Sequence, residues 1–387
     1  MLNPKPDADA VELRLPFSAY WAHKILLLPR ICALIRHRKG QKAHDSKHCA
    51  VYAVGMSTMK PNKRIILVHG LASKPPEADL HEMWSHCVIR SIKVDDPQLA
   101  QELSAASESV FQSGYWANHI PHHIEDDRSY VKKLAAQVKL TCSERTRKKD
   151  GFHVGLGDRF GAFFKSKGLD VVNVLSSALT IKDNVAQHYL REIELYSNDQ
   201  YIADRVRKPL EDALRAAWQA GDDVAIVSHS MGTFIAYDVL WRFSHRSTPE
   251  FHKWKRKQVQ LLITMGSPLG DPMVQDLLFA RHFKNGGKRA FPTNVQRWMN
   301  FSALGDVVAH DSTLADDFMR PMAELKLFQA ATRQRYRDYT KLYNPFLVVP
   351  HAGNKNSEKR NPHKSYGYLV QPKLSQWLGR FLRGELR

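Results

Sequence analysis

Two kinds of hydrophobic pattern alternate along this chain. Short runs such as Arg64–Val68 and Val224–Val227 are almost continuously apolar and rich in β-branched residues, which is typical of strands buried on both faces. Tyr201–Ala220 instead carries apolar residues at helical spacing, which predicts an amphipathic helix. Further strands are predicted at 49–56, 109–119, 258–265 and 296–301, a strand-like segment at 170–175, and a closing helix at 366–386. Strands that alternate with helices in this way predict an α/β protein with a mostly parallel central sheet flanked by helices.

The length of the chain allows one large domain with additions. Its 387 residues are 43% apolar and 10% aromatic, which is ample for a packed core. We assign residues 1–48 to an N-terminal basic and apolar extension and residues 49–387 to the α/β domain. The interval between Val68 and Val224 is long for neighbouring elements of one sheet, so we predict an insertion at about 121–195. This insertion is either a lid near a functional site or a structural embellishment.

Residues 13–35 form an apolar segment near the N-terminus. Charged residues and Pro29 interrupt it, so the pattern does not predict a membrane-spanning helix. The segment either packs on the core or lies on an anionic membrane as an interfacial element. Pro4 and several acidic residues break any earlier apolar run, so no secretory signal is predicted. Four cysteines without metal-like spacing predict scattered thiols in a reducing cytosol, and hence a cytoplasmic protein that could associate peripherally with membranes.

The chain is strongly basic, with a formal net charge of +18. Basic runs recur at 36–47, 145–149, 252–257 and 355–364. Each is most simply a solvated face, but their summed field would attract acidic lipid headgroups or nucleic acid. Residues 333–343 interleave basic and aromatic side chains, which could stack on bases. No nucleic-acid-binding motif accompanies them, so we predict a solvated helix there and expect no specific nucleic-acid binding.

The predicted strand at 224–227 leads into Ser228-His229-Ser230-Met231-Gly232, and an apolar pattern at helical spacing follows. Strand, tight turn and helix are the context in which a small-x-Ser-x-Gly sequence forms a nucleophile elbow. The turn is strained, so the residues two before and two after the nucleophile must be small. Gly232 meets this requirement, and Ser228 stands where the strict motif has glycine. We therefore predict that Ser230 is the nucleophile.

A second turn, His69-Gly70-Leu71, follows the predicted strand at 64–68. In proteins with such an elbow, a turn of this kind directs one backbone N–H at the developing oxyanion, and the residue after the nucleophile supplies another. This nominates the N–H groups of Leu71 and Met231 as the oxyanion hole. We expect Gly70 to support the turn and His69 to brace it rather than act as the base.

The serine also needs a base to take its proton and an acid to orient that base. Asp306 lies in a glycine-bearing loop directly after the strand predicted at 296–301, which is where the acid belongs. His363 lies in a polar loop just before the closing helix, which suits the base. The remaining candidates are Asp311 and Asp271 for the acid and His351 and His310 for the base.

Five sequence segments together resemble the α/β-hydrolase superfamily, in particular its lipase-like and esterase-like bacterial serine hydrolases. They are V-H-G-L, V-S-H-S-M-G-T, T-M-G-S-P-L-G, W-M-N-F-S-A-L-G-D-V-V and N-P-H-K-S-Y-G-Y-L. The resemblance covers about Arg64–Trp377, extends distantly to lipases of the GPI-inositol deacylase type, and is poor in the insertion. It implies an α/β-hydrolase fold with a lid-like insertion. It also implies acyl transfer to water through a serine-bound ester, with no metal and no organic cofactor.

The function that we expect from the sequence is hydrolysis of carboxylic esters by a Ser230-His363-Asp306 triad. The positive charge and the apolar segment at 13–35 favour acyl lipids as substrates over soluble esters. Thioesterases and amidases would show the same motifs. The alternative is a catalytically silent protein of the same fold that binds acidic membranes or a partner.

Overall fold

Six parallel strands form one sheet in this computed structural model, in the order β2-β1-β3-β4-β5-β6. The strands are β1 (Lys63–Val68), β2 (Phe111–Ser113), β3 (Asp223–His229), β4 (Leu261–Met265), β5 (Trp298–Ala303) and β6 (Tyr336–Leu342). The structure describes residues 58–71, 74–120, 127–153, 192–278, 280, 287–328, 335–349 and 360–386. The predicted α/β class with a mostly parallel sheet flanked by helices is confirmed.

Helices cover both faces of this sheet. They are α1 (Glu77–Asp95), α2 (Pro97–Ala105), α3 (Ser107–Val110), α4 (Arg128–Arg147), α5 (Gln200–Ala220), α6 (Met231–His245), α7 (Pro249–His252), α8 (Pro272–Leu277), α9 (Arg320–Glu324), α10 (Ser365–Leu369) and α11 (Pro372–Leu382). Residues 192–198 are also helical, and a π-helical turn, Ala315–Met319, precedes α9. In the part of the chain that the structure describes, no helix is long and apolar enough to cross a membrane.

The apolar runs are continuous because the central strands are buried on both sides. In β3, Val224 and Ile226 join the core beneath α5 and α6, whereas Ala225 and Val227 join the core beneath α1, α4 and α11. Residues 224–227 are all fully buried. Each large aliphatic side chain buried in this way stabilises the fold by about 1.5–3 kcal/mol.

The order of the strands creates a switch point at the carboxyl ends of β1 and β3. From β1 the chain moves outward to β2, and then returns to β3 on the other side of β1. The carboxyl ends of β1 and β3 therefore lie side by side at a point where the chain changes direction. In open parallel sheets this is where a crevice forms and ligands bind.

Three predicted elements differ from the structure. Of the strand predicted at 109–119, only residues 111–113 form a strand, β2, because residues 107–110 are helical. The solvated helix predicted at 333–343 is wrong: residues 336–342 form β6, whose tyrosines and threonine suit a strand at the edge of the sheet. The single closing helix is interrupted between α10 and α11, where Pro372 starts a new helix because it has no N–H to donate.

Several other predictions lie outside the described residues. These are the extension at 1–48, the strands at 49–56 and 170–175, and most of the insertion at 121–195. The described part of that insertion contains α4, which packs against α1.

The thiols are less scattered than the sequence suggests. Cys87 of α1 and Cys142 of α4 are buried, free and in contact, with 3.7 Å between their sulfur atoms. The hydrogen bond between the two thiols lowers the pKa of Cys142, whereas burial raises the pKa of Cys87. Cys32 and Cys49 lie outside the described residues.

Candidate active site

Ser230 occupies a strained turn between β3 and α6. Its backbone has φ 55° and ψ −129°, a conformation that costs a non-glycine residue of order 1–3 kcal/mol. Hydrogen bonds maintain the turn: the Ser230 N–H donates to the carbonyl of Met265 at 3.0 Å, and the Thr233 hydroxyl donates to the Ser230 carbonyl at 2.7 Å. The strand–turn–helix context that the sequence predicts for an elbow is therefore present, with Ser230 at its apex.

Two glycines allow other backbone segments to approach this turn. A β-carbon on Gly232 would lie 2.4 Å from the carbonyl oxygen of His69, so α6 could not pack against the end of β1. A β-carbon on Gly70 would lie 2.5 Å from the β-carbon of Ser230. Both distances are far below normal contact, so both glycines are required for the turn after β1 to reach the serine.

We expect Gly70→Ala to lower kcat/KM by at least about 100-fold, because the added methyl group must displace Ser230 from its hydrogen-bonding position. The matched control is Gly114→Ala. A β-carbon there would lie 3.4 Å from its nearest neighbour, an ordinary contact, and kcat/KM should stay within about twofold. Ester hydrolysis by both variants, with their melting temperatures, measures the difference. Equal activities would contradict this account of Gly70.

The structure brings Ser230, His363 and Asp306 into one chain of hydrogen bonds. The Ser230 hydroxyl lies 2.9 Å from Nε2 of His363, and Nδ1 of His363 lies 2.9 Å from each carboxylate oxygen of Asp306. Asp306 follows β5, and His363 precedes α10. With Nδ1–H donating to Asp306, Nε2 is free to accept the serine proton. The three side chains predicted from the elbow motif and from loop positions therefore meet at the carboxyl ends of the strands.

Asp306 is fully buried and strongly hydrogen-bonded. The Tyr368 hydroxyl donates to its Oδ2 at 2.6 Å, and the N–H groups of Val308 and Ala309 lie 3.0 and 3.3 Å from its Oδ1. Burial alone would raise the pKa of this carboxyl, but the charge of His363 and the hydrogen bonds from His363 and Tyr368 lower it further than burial raises it. Asp306 is therefore an anion held in a fixed orientation.

His229, between the two serines of the elbow, supports His363 from the other side. Its Nε2–H donates to the backbone carbonyl of His363 at 2.6 Å, and the two rings pack with 4.7 Å between their centroids. Burial and the charge of His363 lower the pKa of His229 well below its usual value. His229 thus stays neutral and acts as a hydrogen-bond donor beside the base.

The loop that carries His363 is held by two asparagines. Asn344 donates to the carbonyls of Pro362 and Lys364 at 2.8 and 2.9 Å, and Asn361 accepts the backbone N–H of His363 at 3.1 Å. Because the carbonyls on both sides of His363 are hydrogen-bonded to Asn344, the backbone that carries the imidazole is fixed in position. Sequence reasoning missed Asn344, His229 and Tyr368, since no local motif marks a side chain that acts through a distant loop.

Gly266 lies directly against the acid and the base. It has φ +54°, and a β-carbon there would lie 2.9 Å from Asp306 Oδ2 and 3.1 Å from His363 Nδ1. Only glycine can occupy this position without separating the pair. It belongs to the T-M-G-S-P-L-G segment, so that segment contributes the space in which Asp306 and His363 meet.

Two backbone N–H groups belong to residues next to the Ser230 turn, those of Met231 and Leu71. Met231 is the first residue of α6, so its N–H has no acceptor within that helix. Leu71 follows Gly70, the glycine that contacts Ser230. The ammonium group of Lys74 donates to the Leu71 carbonyl. Burial, and then the charge of Lys364, lower the pKa of Lys74 to about 7, with Glu192 acting in the opposite direction.

His69 braces the turn after β1. Its Nδ1–H donates to the Gly70 carbonyl at 2.8 Å, and its Nε2 accepts the N–H of Trp116 at 3.1 Å. The indole of Trp116 stacks on the imidazole, with 4.7 Å between centroids, and donates to the His69 carbonyl. Both ring nitrogens are thus engaged with the backbone rather than with Ser230.

The alternative acids and bases lie elsewhere. Asp271 caps α8 through the N–H of Met273 and lies 3.7 Å from His310, while Asp311 accepts the N–H of Thr313. In the described structure none of the three forms a hydrogen bond with Ser230 or His363. His351 is outside the described residues. Across the described segments, no group of three or more His, Cys, Asp or Glu side chains is placed to hold a metal ion.

Comparison of the chain with protein-family models, with curated proteins and with solved structures finds no match. The class of the protein is therefore defined by its own geometry. It is an α/β protein with a parallel sheet whose carboxyl edge carries a Ser–His–Asp chain of hydrogen bonds.

Proposed function

We propose that this chain is a serine hydrolase of the α/β-hydrolase type that cleaves carboxylic esters. The observation that carries the proposal is the uninterrupted series of 2.9 Å contacts from Ser230 through His363 to Asp306, built on a strained turn. A nucleophile, a base in reach of its proton and a buried anion that orients the base are the components that acyl transfer needs.

In the proposed reaction, Oγ of Ser230 attacks the ester carbonyl carbon while Nε2 of His363 takes the hydroxyl proton. Collapse of the tetrahedral intermediate breaks the bond to the alcohol oxygen, and His363 returns the proton to that oxygen. The alcohol leaves, and the acyl group stays on Ser230. Water then attacks the acyl-enzyme by the same proton transfers and releases the carboxylic acid. Asp306 stays ionised throughout and stabilises the imidazolium of His363.

The oxyanion of the tetrahedral intermediate would be held by the N–H groups of Leu71 and Met231. Met231 also lies at the N-terminus of α6, where the helix dipole favours negative charge. Loss of one such donor typically lowers kcat by 10²–10³-fold. The Lys74 side chain donates to the Leu71 carbonyl, and because its pKa is lowered to about 7, it is only partly protonated at neutral pH.

Acyl lipids remain our preferred substrate class. Apolar side chains are exposed near the carboxyl edge of the sheet: Met273 and Leu277 on one face of α8, and Val307 directly after Asp306. Such residues suit an acyl chain entering the site. The net charge of +18 would attract the acidic surface of a membrane. The complete Ser–His–Asp chain disfavours the catalytically silent alternative, which has no need of it.

The test is hydrolysis of a series of p-nitrophenyl esters, from acetyl to palmitoyl, combined with labelling by a fluorophosphonate. We expect turnover and covalent labelling of Ser230, with the preferred acyl length separating a lipase from an esterase. Labelling without turnover would support Ser230 as a nucleophile and would exclude simple esters as substrates. Absence of both would overturn the proposal.

We expect Tyr368→Phe to lower kcat by about tenfold with KM unchanged, because a hydrogen bond to a charged group is worth about 1.5–3 kcal/mol. Loss of this bond also raises the pKa of Asp306, which it helps to lower. The Tyr368 hydrogen bond favours the ionised form of Asp306. Its contribution to the free energy of unfolding is therefore present above about pH 4, and it is lost as the pH falls through the pKa of folded Asp306.

The measurements are kcat, KM and the free energy of unfolding between pH 3 and pH 7. Tyr366→Phe is the matched control, since Tyr366 is equally buried but packs against Phe346 instead. It should leave kcat unchanged. A Tyr368→Phe variant with the kcat of the natural chain would show that the tyrosine does not act on Asp306.

A further inference from the structure

A cleft of about 290 Å³ lies between β6 and α11, away from the candidate active site. The described residues that line it are Met299, Tyr336, Arg337, Tyr339, Lys373, Gln376, Trp377 and Arg380. Met299 lies near the start of β5 and pairs with Arg337, whereas Asp306 follows the end of the same strand. At about 3.3 Å per residue, the cleft and the Ser–His–Asp chain are separated by most of the length of β5.

The cleft is lined by cations that aromatic rings hold in place. The guanidinium of Arg337 lies 5.1 Å from the ring centroid of Tyr339, and that of Arg380 lies 4.7 Å from the ring centroid of Trp377. The indole N–H of Trp377 donates to the Tyr339 hydroxyl at 2.8 Å, so the two rings are joined. Both guanidinium groups are therefore oriented before any ligand arrives, which lowers the entropic cost of binding.

Positive charge in the cleft exceeds negative charge. No acidic residue is among the described residues that line it. Arg380 forms an ion pair with Glu385 at 3.9 Å, and Lys373 donates to the neutral Gln376. Burial, and then the charge of Arg380, lower the pKa of the neighbouring Arg297, so a fourth cation lies close by. An anion would reduce the repulsion among these groups.

We propose that this cleft binds a phosphate monoester through Arg337, Lys373 and Arg380. Guanidinium groups match the oxygen spacing of phosphate, and an ammonium adds a third donor. A cavity of this volume holds about ten waters, which suits a small ligand rather than a polymer. The aromatic rings of Tyr339 and Trp377 would contact the carbon portion of the ester. The interleaved basic and aromatic residues of β6, which the proposed ester hydrolysis leaves unexplained, then build this site.

A phosphate monoester could come from solution or from a lipid headgroup, and the experiment separates the two. Glycerol 3-phosphate is titrated into the full chain by calorimetry at low salt, and sedimentation measures binding to phosphatidylcholine vesicles with and without phosphatidic acid. The Arg337→Gln/Lys373→Gln double variant should weaken binding at least tenfold in whichever arm binds. Both side chains are exposed, so the substitutions should leave the fold intact. Lys132→Gln, which removes one exposed charge on α4, is the control.

Binding of glycerol 3-phosphate that the double variant loses supports a soluble ligand. Binding of phosphatidic acid vesicles alone, lost in the double variant, supports a lipid headgroup. Absence of binding in both arms overturns the proposal, as does binding that the double variant keeps or that Lys132→Gln weakens equally. Because the readout is binding, the result does not depend on whether the chain hydrolyses esters.

Discussion

Ser230→Ala should abolish ester hydrolysis, with kcat reduced by at least about 10⁴-fold. The hydroxyl is the atom that attacks the ester carbonyl, and without it the base has no proton to take. Residual activity would come from the oxyanion donors and from substrate binding alone. Labelling by a fluorophosphonate should disappear in the same variant. The melting temperature should change little, because the strained backbone of the turn is retained and only one hydroxyl is lost.

Ser228→Ala is the matched control, two residues earlier at the end of β3. The Ser228 hydroxyl is buried and donates to the carbonyl of Ile263 at 3.0 Å, so it is engaged with β4 rather than with His363. Its loss should cost about 1 kcal/mol in the free energy of unfolding and leave kcat within a few-fold. Equal losses of activity in the two variants would mean that the turn, and not the Ser230 hydroxyl, is what hydrolysis requires.

Asp306→Asn should lower kcat by about 10⁴-fold while leaving the fold intact. An asparagine carbonyl can still accept the N–H groups of Val308 and Ala309, so its amide would face Nδ1 of His363. An amide donates where the carboxylate accepted, and this favours the tautomer with the proton on Nε2. That nitrogen could then no longer accept the serine proton. The loss should fall on kcat, since no contact with substrate is removed.

The control for this prediction is Asp311→Asn, which changes the neighbouring acid that caps Thr313. It should leave kcat within a few-fold. NMR of the imidazole nitrogens would show the change of tautomer directly in Asp306→Asn and its absence in the control. Full activity of Asp306→Asn would refute the role that we give to the carboxylate.

Local patterns predicted much of this arrangement. The apolar runs identify β1 and β3, because strands buried on both faces do not alternate between apolar and polar residues. The small residues around Ser230 identify the elbow, because the turn has no space for larger side chains. Asp306 and His363 could be chosen because each follows or precedes a recognisable element. Their meeting with Ser230 follows from parallel strands, whose carboxyl ends share one edge of the sheet.

The contacts that hold the site could not be predicted from local patterns. Tyr368 acts on an aspartate 62 residues earlier, and His229 on a carbonyl 134 residues later. Neither residue differs locally from an ordinary core aromatic. The strand β6 was missed for a related reason: its side chains are partly exposed at the sheet edge, so its apolar content does not separate it from a solvated helix.

The Ser–His–Asp chain joins residues that are far apart in sequence, since Ser230 and His363 are 133 positions apart. A serine without its base is an ordinary alcohol, so the nascent chain carries no reactive nucleophile while the elbow alone has been synthesised. In the proposed mechanism, reactivity begins only when β5 has joined the sheet and Asn344 has fixed the loop before α10. A chain that has formed the elbow but not the loop before α10 would therefore be inactive in the proposed mechanism.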